Sequence, residues 1–298
     1  MIGQPARYPG PCWIGIEEVE PGTAAIFMPG QTPIISQWHE FSYCPRSASE
    51  QEMEAMYKTA LTESVVLQTQ GIDQLAIALS GGLDSSLLCS LSKEKPTAFV
   101  LVNTSTVDNG ELDAARLVAG ELDINLYEVV PQEVGSMTKM AYLDILRFCE
   151  SPDVRAEHLL KNELAEMAAK RGFRVLLSGQ GSDEFNGGYS GLVNTDGSTS
   201  RLTTYLQQTI EAEFYPQLLI ANGIRPDLSR FIDWNHVDFL EEPIFSDLWQ
   251  QELHRRLCIL RRYNLWLEDR IAARFGFENR VTFLGYQVLD LTWSIPRT

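Results

Sequence analysis

The chain has 298 residues, 44% hydrophobic and 21% charged, so it can build a sizeable core and is neither disordered nor fibrous. Its 40 acidic side chains outnumber 24 basic ones, giving a net charge of −16. That balance argues against unguided binding to nucleic acid or to an anionic membrane, which both reward Lys and Arg; a polyphosphate stays admissible if Mg²⁺ and backbone N–H groups do the neutralising.

Residues 1–46 carry several Pro and Gly turn signals around two short candidate strands, Trp13–Ile16 and Ala24–Phe27, joined through Glu20-Pro21-Gly22. This is too little chain for a core of its own, and we expect a β flap laid against the remainder, residues 47–298. A helix is expected from Ser49, which with Glu52 forms a capping box before an apolar pattern of near-helical period. Leu75–Leu79 reads as a buried strand, Leu83–Leu91 as a helix, Thr97–Val102 as a strand, Leu112–Leu122 as a helix and Leu126–Val129 as a strand. Leu159–Lys170 reads as a helix ended by Gly172, and Arg174–Leu177 as a further strand. Apolar strands alternating with amphipathic helices predict an α/β fold, a parallel sheet with helices on both faces. Beyond about residue 200 strand signals fade, and Leu202–Phe214 and Phe245–Phe275 predict a helical C-terminal region.

The apolar runs fall far short of the roughly 18 residues that a membrane span needs, and the first ten residues hold no apolar signal segment, so a cytoplasmic protein is expected. Five Cys at wide, irregular spacings predict reduced thiols, and with the four His they offer no zinc-ligand pairing.

Chemistry concentrates in two glycine loops, each following an apolar strand. In Leu79-Ser80-Gly81-Gly82-Leu83-Asp84-Ser85-Ser86 the glycines permit a tight bend, and the N–H groups of the loop and first helical turn converge. Such a turn either cradles an anion or is plain chain geometry. The pattern is not the Walker loop, which needs a lysine, nor the dinucleotide fingerprint, which needs a third glycine. The second loop, Leu177-Ser178-Gly179-Gln180-Gly181-Ser182-Asp183-Glu184-Phe185-Asn186-Gly187-Gly188-Tyr189, sets two acids among four glycines. At the carboxyl ends of strands in one open sheet, two such loops would face a shared crevice, and Asp84 and Asp183 could hold Mg²⁺ on a nucleotide's phosphates.

SGGLDSS resembles the pyrophosphatase loop of the N-type ATP pyrophosphatases, and together with LSGQGSDEFNGGY it resembles the synthetase domain of the glutamine-dependent asparagine synthetases. That superfamily includes the β-lactam and carbapenam synthetases and the lasso-peptide cyclases. The segment from Leu260 to Pro296 is similar to a third family segment, with Glu268, Asp269, Arg270, Glu278, Arg280, Phe283 and Leu284 in step. The resemblance covers about residues 50–296. It implies an adenine nucleotide alpha hydrolase-like fold and a ligase that adenylates a carboxylate with ATP and lets an amine attack, releasing AMP and pyrophosphate. Carried over residue by residue, Ser80, Gly81, Gly82, Asp84, Ser85 and Ser86 would cradle the pyrophosphate. Asp84 and Asp183 would hold Mg²⁺, and backbone groups near Leu79, Val102 and Gly179 would border the adenosine. Gln180, Glu268 and Arg270 complete the expected catalytic set.

The departures matter as much. Members resembling asparagine synthetase have Glu where Gln180 stands, and β-lactam synthetase has Tyr; glutamine cannot accept a proton near neutral pH and can only orient a substrate. Thr282 and Gly285 replace a Pro and an Asp. The resemblance further leads us to expect no glutaminase domain, with residues 1–46 similar to its last strands, and no family lysine beyond Pro296. Glu150 is either a ligand for an amino group or a solvated charge. The expected partners are a small-molecule or peptide carboxylate and a second copy or partner subunit. A degenerate half-site subunit, or an adenylating enzyme with another acceptor, are the rival readings.

Overall fold

The computed structural model describes residues 19, 21–40, 44–131, 138–150, 154, 156–186, 188, 256–257 and 260–295. The expected segments Trp13–Ile16 and Leu202–Phe214, and residues 245–255 of the last expected helix, lie outside them.

Five parallel strands form the central sheet: β3 (Leu75–Ala78), β4 (Thr97–Leu101), β5 (Leu126–Val129), β6 (Val175–Ser178) and β7 (Glu278–Val281), in the spatial order β5-β4-β3-β6-β7. Alternation along each strand feeds two layers. Leu75, Ile77, Ala98, Val100, Val175 and Leu177 pack with α1 (Glu50–Thr69), α2 (Leu83–Leu91) and α4 (Glu111–Glu121). Ala76, Phe99 and Leu176 face the other way, onto α5 (Lys139–Cys149), α6 (Ala156–Lys170) and α8 (Trp266–Arg274). Helices therefore cover both faces, as expected. Short α3 (Thr104–Asp108) follows β4, α7 (Ser182–Asn186) follows β6, and a π-helical turn, Leu260–Leu265, leads into α8; α9 (Tyr286–Trp293) closes the described chain. Among the described residues no helix is long and apolar enough to cross a membrane.

The capping box forms as expected: Ser49 Oγ accepts the Glu52 N–H at 3.3 Å while the Glu52 carboxylate accepts the Ser49 N–H at 2.8 Å. Gly172, at φ 89°, ends the turn after α6.

One expectation is corrected. Strand signals do not end near residue 200, because β7 joins the sheet beside β6, with Ser178 opposite Val281. Its sequence, Glu278-Asn279-Arg280-Val281, is a four-residue edge strand with no apolar run to betray it. In the flap, β1 (Thr23–Ile26) pairs antiparallel with β2 (Ile34–Gln37) through a turn around residues 28–31, while the strand expected to meet β1 across Glu20-Pro21-Gly22 lies outside the described residues. Gly22, at φ 70°, presents its carbonyl to the N–H groups of Trp38 and His39.

Candidate active site

In this strand order, chain direction across the sheet reverses between β3 and β6, and ligands bind in open α/β sheets outside the carboxyl ends at such a point. Both glycine loops leave there. A cavity of about 540 Å³ opens between them, lined by Ser80, Gly82, Asp84 and Ser85 from the first and Gly179, Gln180, Gly181 and Asp183 from the second.

The first loop is braced from within. Ser85 Oγ accepts the Ser80 N–H at 3.2 Å, Ser80 Oγ accepts the Gly82 N–H at 3.2 Å, and Ser86 donates its hydroxyl to the Gly82 carbonyl at 2.7 Å. These hydroxyls shape the turn. By helix geometry the N–H groups of Leu83, Asp84 and Ser85, in the first turn of α2, have no intrahelical partner, and no side chain caps them. Gly81 is required by both conformation and space: φ is +77°, and a Cβ there would stand 2.6 Å from the Ala115 backbone nitrogen. The loop is thus wedged against the start of α4.

The second loop is tied to the first by Ser182, whose hydroxyl donates to Asp84 Oδ1 at 2.8 Å. Asn186 donates to Ser182 Oγ at 3.1 Å and to the Tyr57 hydroxyl at 2.8 Å. Burial raises the Asp84 carboxyl above its ordinary pKa; the bond from Ser182 lowers it and the charge of Asp183 adds to the rise. Tyr57 is raised too, mainly by burial. A carboxyl strained toward its proton by burial and a like charge is one that a divalent cation would relieve. Asp84 and Asp183 therefore suit Mg²⁺. Among the described residues no group of three or more His, Cys, Asp or Glu could hold a metal ion alone, so phosphate oxygens or water would have to complete its shell.

On the far wall stands a network that the sequence did not announce. Glu268, 7% exposed, accepts Lys161 Nζ and Gln180 Nε2 on Oε1, each at 2.5 Å, and Asn279 Nδ2 on Oε2 at 2.7 Å. Gln180 thus acts as a donor, in keeping with its chemistry. Glu268 and Gln180 meet in the cavity wall. Lys161 and Asn279 are additions. The available signal for Lys161 was its place three and four residues before Leu164 and Ala165, on the apolar face of α6.

Other expected residues stand elsewhere. Arg270 does not line the cavity: it pairs with Glu150 at 3.0 Å and lies over the Trp266 ring at 4.3 Å. Leu79 and Val102 are not in the lining, and their N–H groups bond to the carbonyls of Phe99 and Val129 within the sheet. Ser86 and Gly81 support the loop from outside the cavity. Buried Cys89 and Cys149 are inert thiols, pushed up to about 12 and about 11 by burial.

A parallel sheet flanked by helices, with two interlocked glycine loops at its switch point, defines an α/β domain whose candidate ligand site lies at the carboxyl ends of the strands. The family model for asparagine synthase matches residues 56–298, and the chain belongs to that family. It is 29% identical to asparagine synthetase [glutamine-hydrolyzing] 2 of Bacillus subtilis (strain 168), over 80% of this chain and 33% of that protein. With asparagine synthetase [glutamine-hydrolyzing] 1 of the same organism it shares 25% identity over 94% of this chain and 50% of that one. The chain spans a third to a half of the length of these curated relatives. Overlap with the solved NH3-dependent NAD synthetase of Campylobacter jejuni is slight, with a TM-score of 0.30 at 15% identity over 71% of this chain and 96% of that one.

Proposed function

We propose that this protein is an ATP-dependent, AMP-forming ligase that adenylates a substrate carboxylate and passes the acyl group to an amine, releasing pyrophosphate. The observation that carries this reading is the Ser182–Asp84 bond, which sets both glycine loops around one cavity lined by Asp84, Asp183 and the uncapped first turn of α2. Asp84 and Asp183 would hold Mg²⁺, which when bound supplies positive charge to phosphate oxygens. The N–H groups of Leu83, Asp84 and Ser85 are fixed before any ligand arrives, so charge developing on a leaving pyrophosphate meets donors that need not reorganise. Gln180, held by Glu268, orients and does not abstract a proton. The amine therefore reaches the site neutral or loses its proton to another group.

Incubating the protein with Mg·ATP, a panel of carboxylic acids and amines, and measuring AMP, pyrophosphate and amide, tests the proposal. AMP with an amide supports it; AMP and pyrophosphate without amide point to another acceptor; the absence of Mg²⁺-dependent ATP binding overturns it. The β1–β2 flap, where Ile26, Phe27, Ile34, Ile35 and Trp38 are more than half exposed, is where a second copy or partner subunit would sit. Light scattering at micromolar concentration checks the second copy, and a monomer counts against it.

A further inference from the structure

Lys161 is the sole Lys or Arg among the described residues that line the cavity. Its neighbours there include the carboxyl groups of Asp84, Asp183 and Glu268. A phosphate or carboxylate entering such a wall meets net repulsion unless a cation offsets it, and in a partly desolvated cavity that repulsion is stronger than in water.

An ion pair whose purpose is packing alone would be closed on itself. Here the lysine side chain remains 33% exposed while its partner Glu268 is 7% exposed. An ammonium carries three donors, and Glu268 takes one. The carboxylate is held in its turn by three donors: Lys161 and Gln180 share Oε1, and Asn279 bonds Oε2. That arrangement makes Glu268 an anchor, holding the Lys161 ammonium beside the Gln180 amide on the second glycine loop.

We propose that Lys161 is the cation that receives an oxyanion in this cavity, from the nucleotide's phosphates or from the acyl substrate's carboxylate, with Glu268 as the residue that positions it. The proposal rests on the reading of the site as an ATP-dependent ligase. Glu268 is made by the third sequence segment, Gln180 by the second, and Lys161 by neither, so the pairing adds a residue to the site.

The test compares wild type with Lys161→Met, Lys161→Arg and Glu268→Gln, using calorimetry with Mg·ATP and with adenosine, and ATP–pyrophosphate exchange over a panel of acids. If the phosphates are the partner, Lys161→Met weakens Mg·ATP by at least about tenfold, leaves adenosine unchanged, and Lys161→Arg restores most of the loss. If the carboxylate is the partner, Mg·ATP affinity holds while the KM of the acid in exchange rises more than kcat falls. Glu268→Gln shifts the same constant by a smaller factor, because the ammonium stays but loses its anchor. Since Lys161→Met strands a buried carboxylate, Lys161→Met with Glu268→Gln serves as the folding control. Folded variants with both constants unchanged, or failure of both lysine variants and the double variant to fold, overturn the proposal and leave the ligase reading standing. A wild type that binds no Mg·ATP overturns that reading, and this one with it.

Discussion

Ser182 donates its hydroxyl to Oδ1 of Asp84 at 2.8 Å, a bond across 98 positions of sequence that locks the loop after β3 to the loop after β6. The bond has an electrostatic sense as well as a geometric one, since it favours the charged form of a carboxyl that burial and Asp183 disfavour. Ser182→Ala is expected to cost about 1–3 kcal/mol, the range for a part-buried hydrogen bond to a charged group. It should also raise Asp84 further. Urea unfolding gives the first quantity; a steeper loss of Mg·ATP binding on acidification shows the second.

Asp84 itself yields a prediction with a definite sign. Its folded-state pKa is raised, so the folded protein binds that proton more tightly than the unfolded chain. The associated stability is complete below the unfolded value and is lost as pH rises through the folded one. Ionised Asp84 therefore weakens the ligand-free fold near neutral pH. Asp84→Asn, which keeps an acceptor for Ser182, should be at least as stable as wild type at pH 7, the difference shrinking toward pH 4. Mg²⁺-dependent ATP binding should meanwhile fall by about a hundredfold. An Asn variant less stable at pH 7 than wild type would contradict this account.

Three glycines separate conformational need from space. Gly81→Ala forces a Cβ onto backbone atoms of α4 at φ +77°, and should cost more than about 3 kcal/mol because backbone cannot move aside. At Gly181, φ is +93° and the obstacle is the Leu284 side chain, which can turn; about 1–3 kcal/mol is expected. Gly120→Ala, with nothing within 4 Å on an exposed face of α4, should stabilise by about 0.5–1 kcal/mol. Denaturation midpoints of the three variants check the order.

Most of the sheet was legible because β3, β4 and β6 are buried on both faces and therefore read as unbroken apolar runs. Strand β7 was not, since a polar edge strand has no such signature, and neither was β2, whose four residues are all exposed. The glycine loops were legible in chain order, as their backbone demands fix residue types locally. Lys161 escaped because its contact with Glu268 spans 107 positions and exists only once α6 packs against α8. Leu79 and Val102, carried over to the adenosine by resemblance, stand at strand ends engaged with neighbouring strands, while the described cavity is reached by Ala78 and Leu176 from the opposite face of the sheet.

Gln180→Glu would install the residue that members resembling asparagine synthetase carry, and a reading by motif alone would expect gained activity. The geometry argues otherwise. Gln180 Nε2 donates to Glu268 Oε1 at 2.5 Å, so a glutamate there replaces a donor with a second carboxylate against a buried one. Lys161 already serves Glu268 and can neutralise only one of the two. The new carboxyl must therefore hold its proton or repel Glu268, which raises the folded-state pKa of the pair over the unfolded value. By the same linkage as for Asp84, stability is intact below the unfolded carboxyl range and lost as pH rises through the raised value. We expect Gln180→Glu to match wild type near pH 4 and to be less stable by about 1–3 kcal/mol at pH 8, with no gain in amide formation. Unfolding curves across that range, with AMP and amide measured at each pH, decide it; equal stability at both ends together with faster amide release would show that position 180 is the site of the base after all.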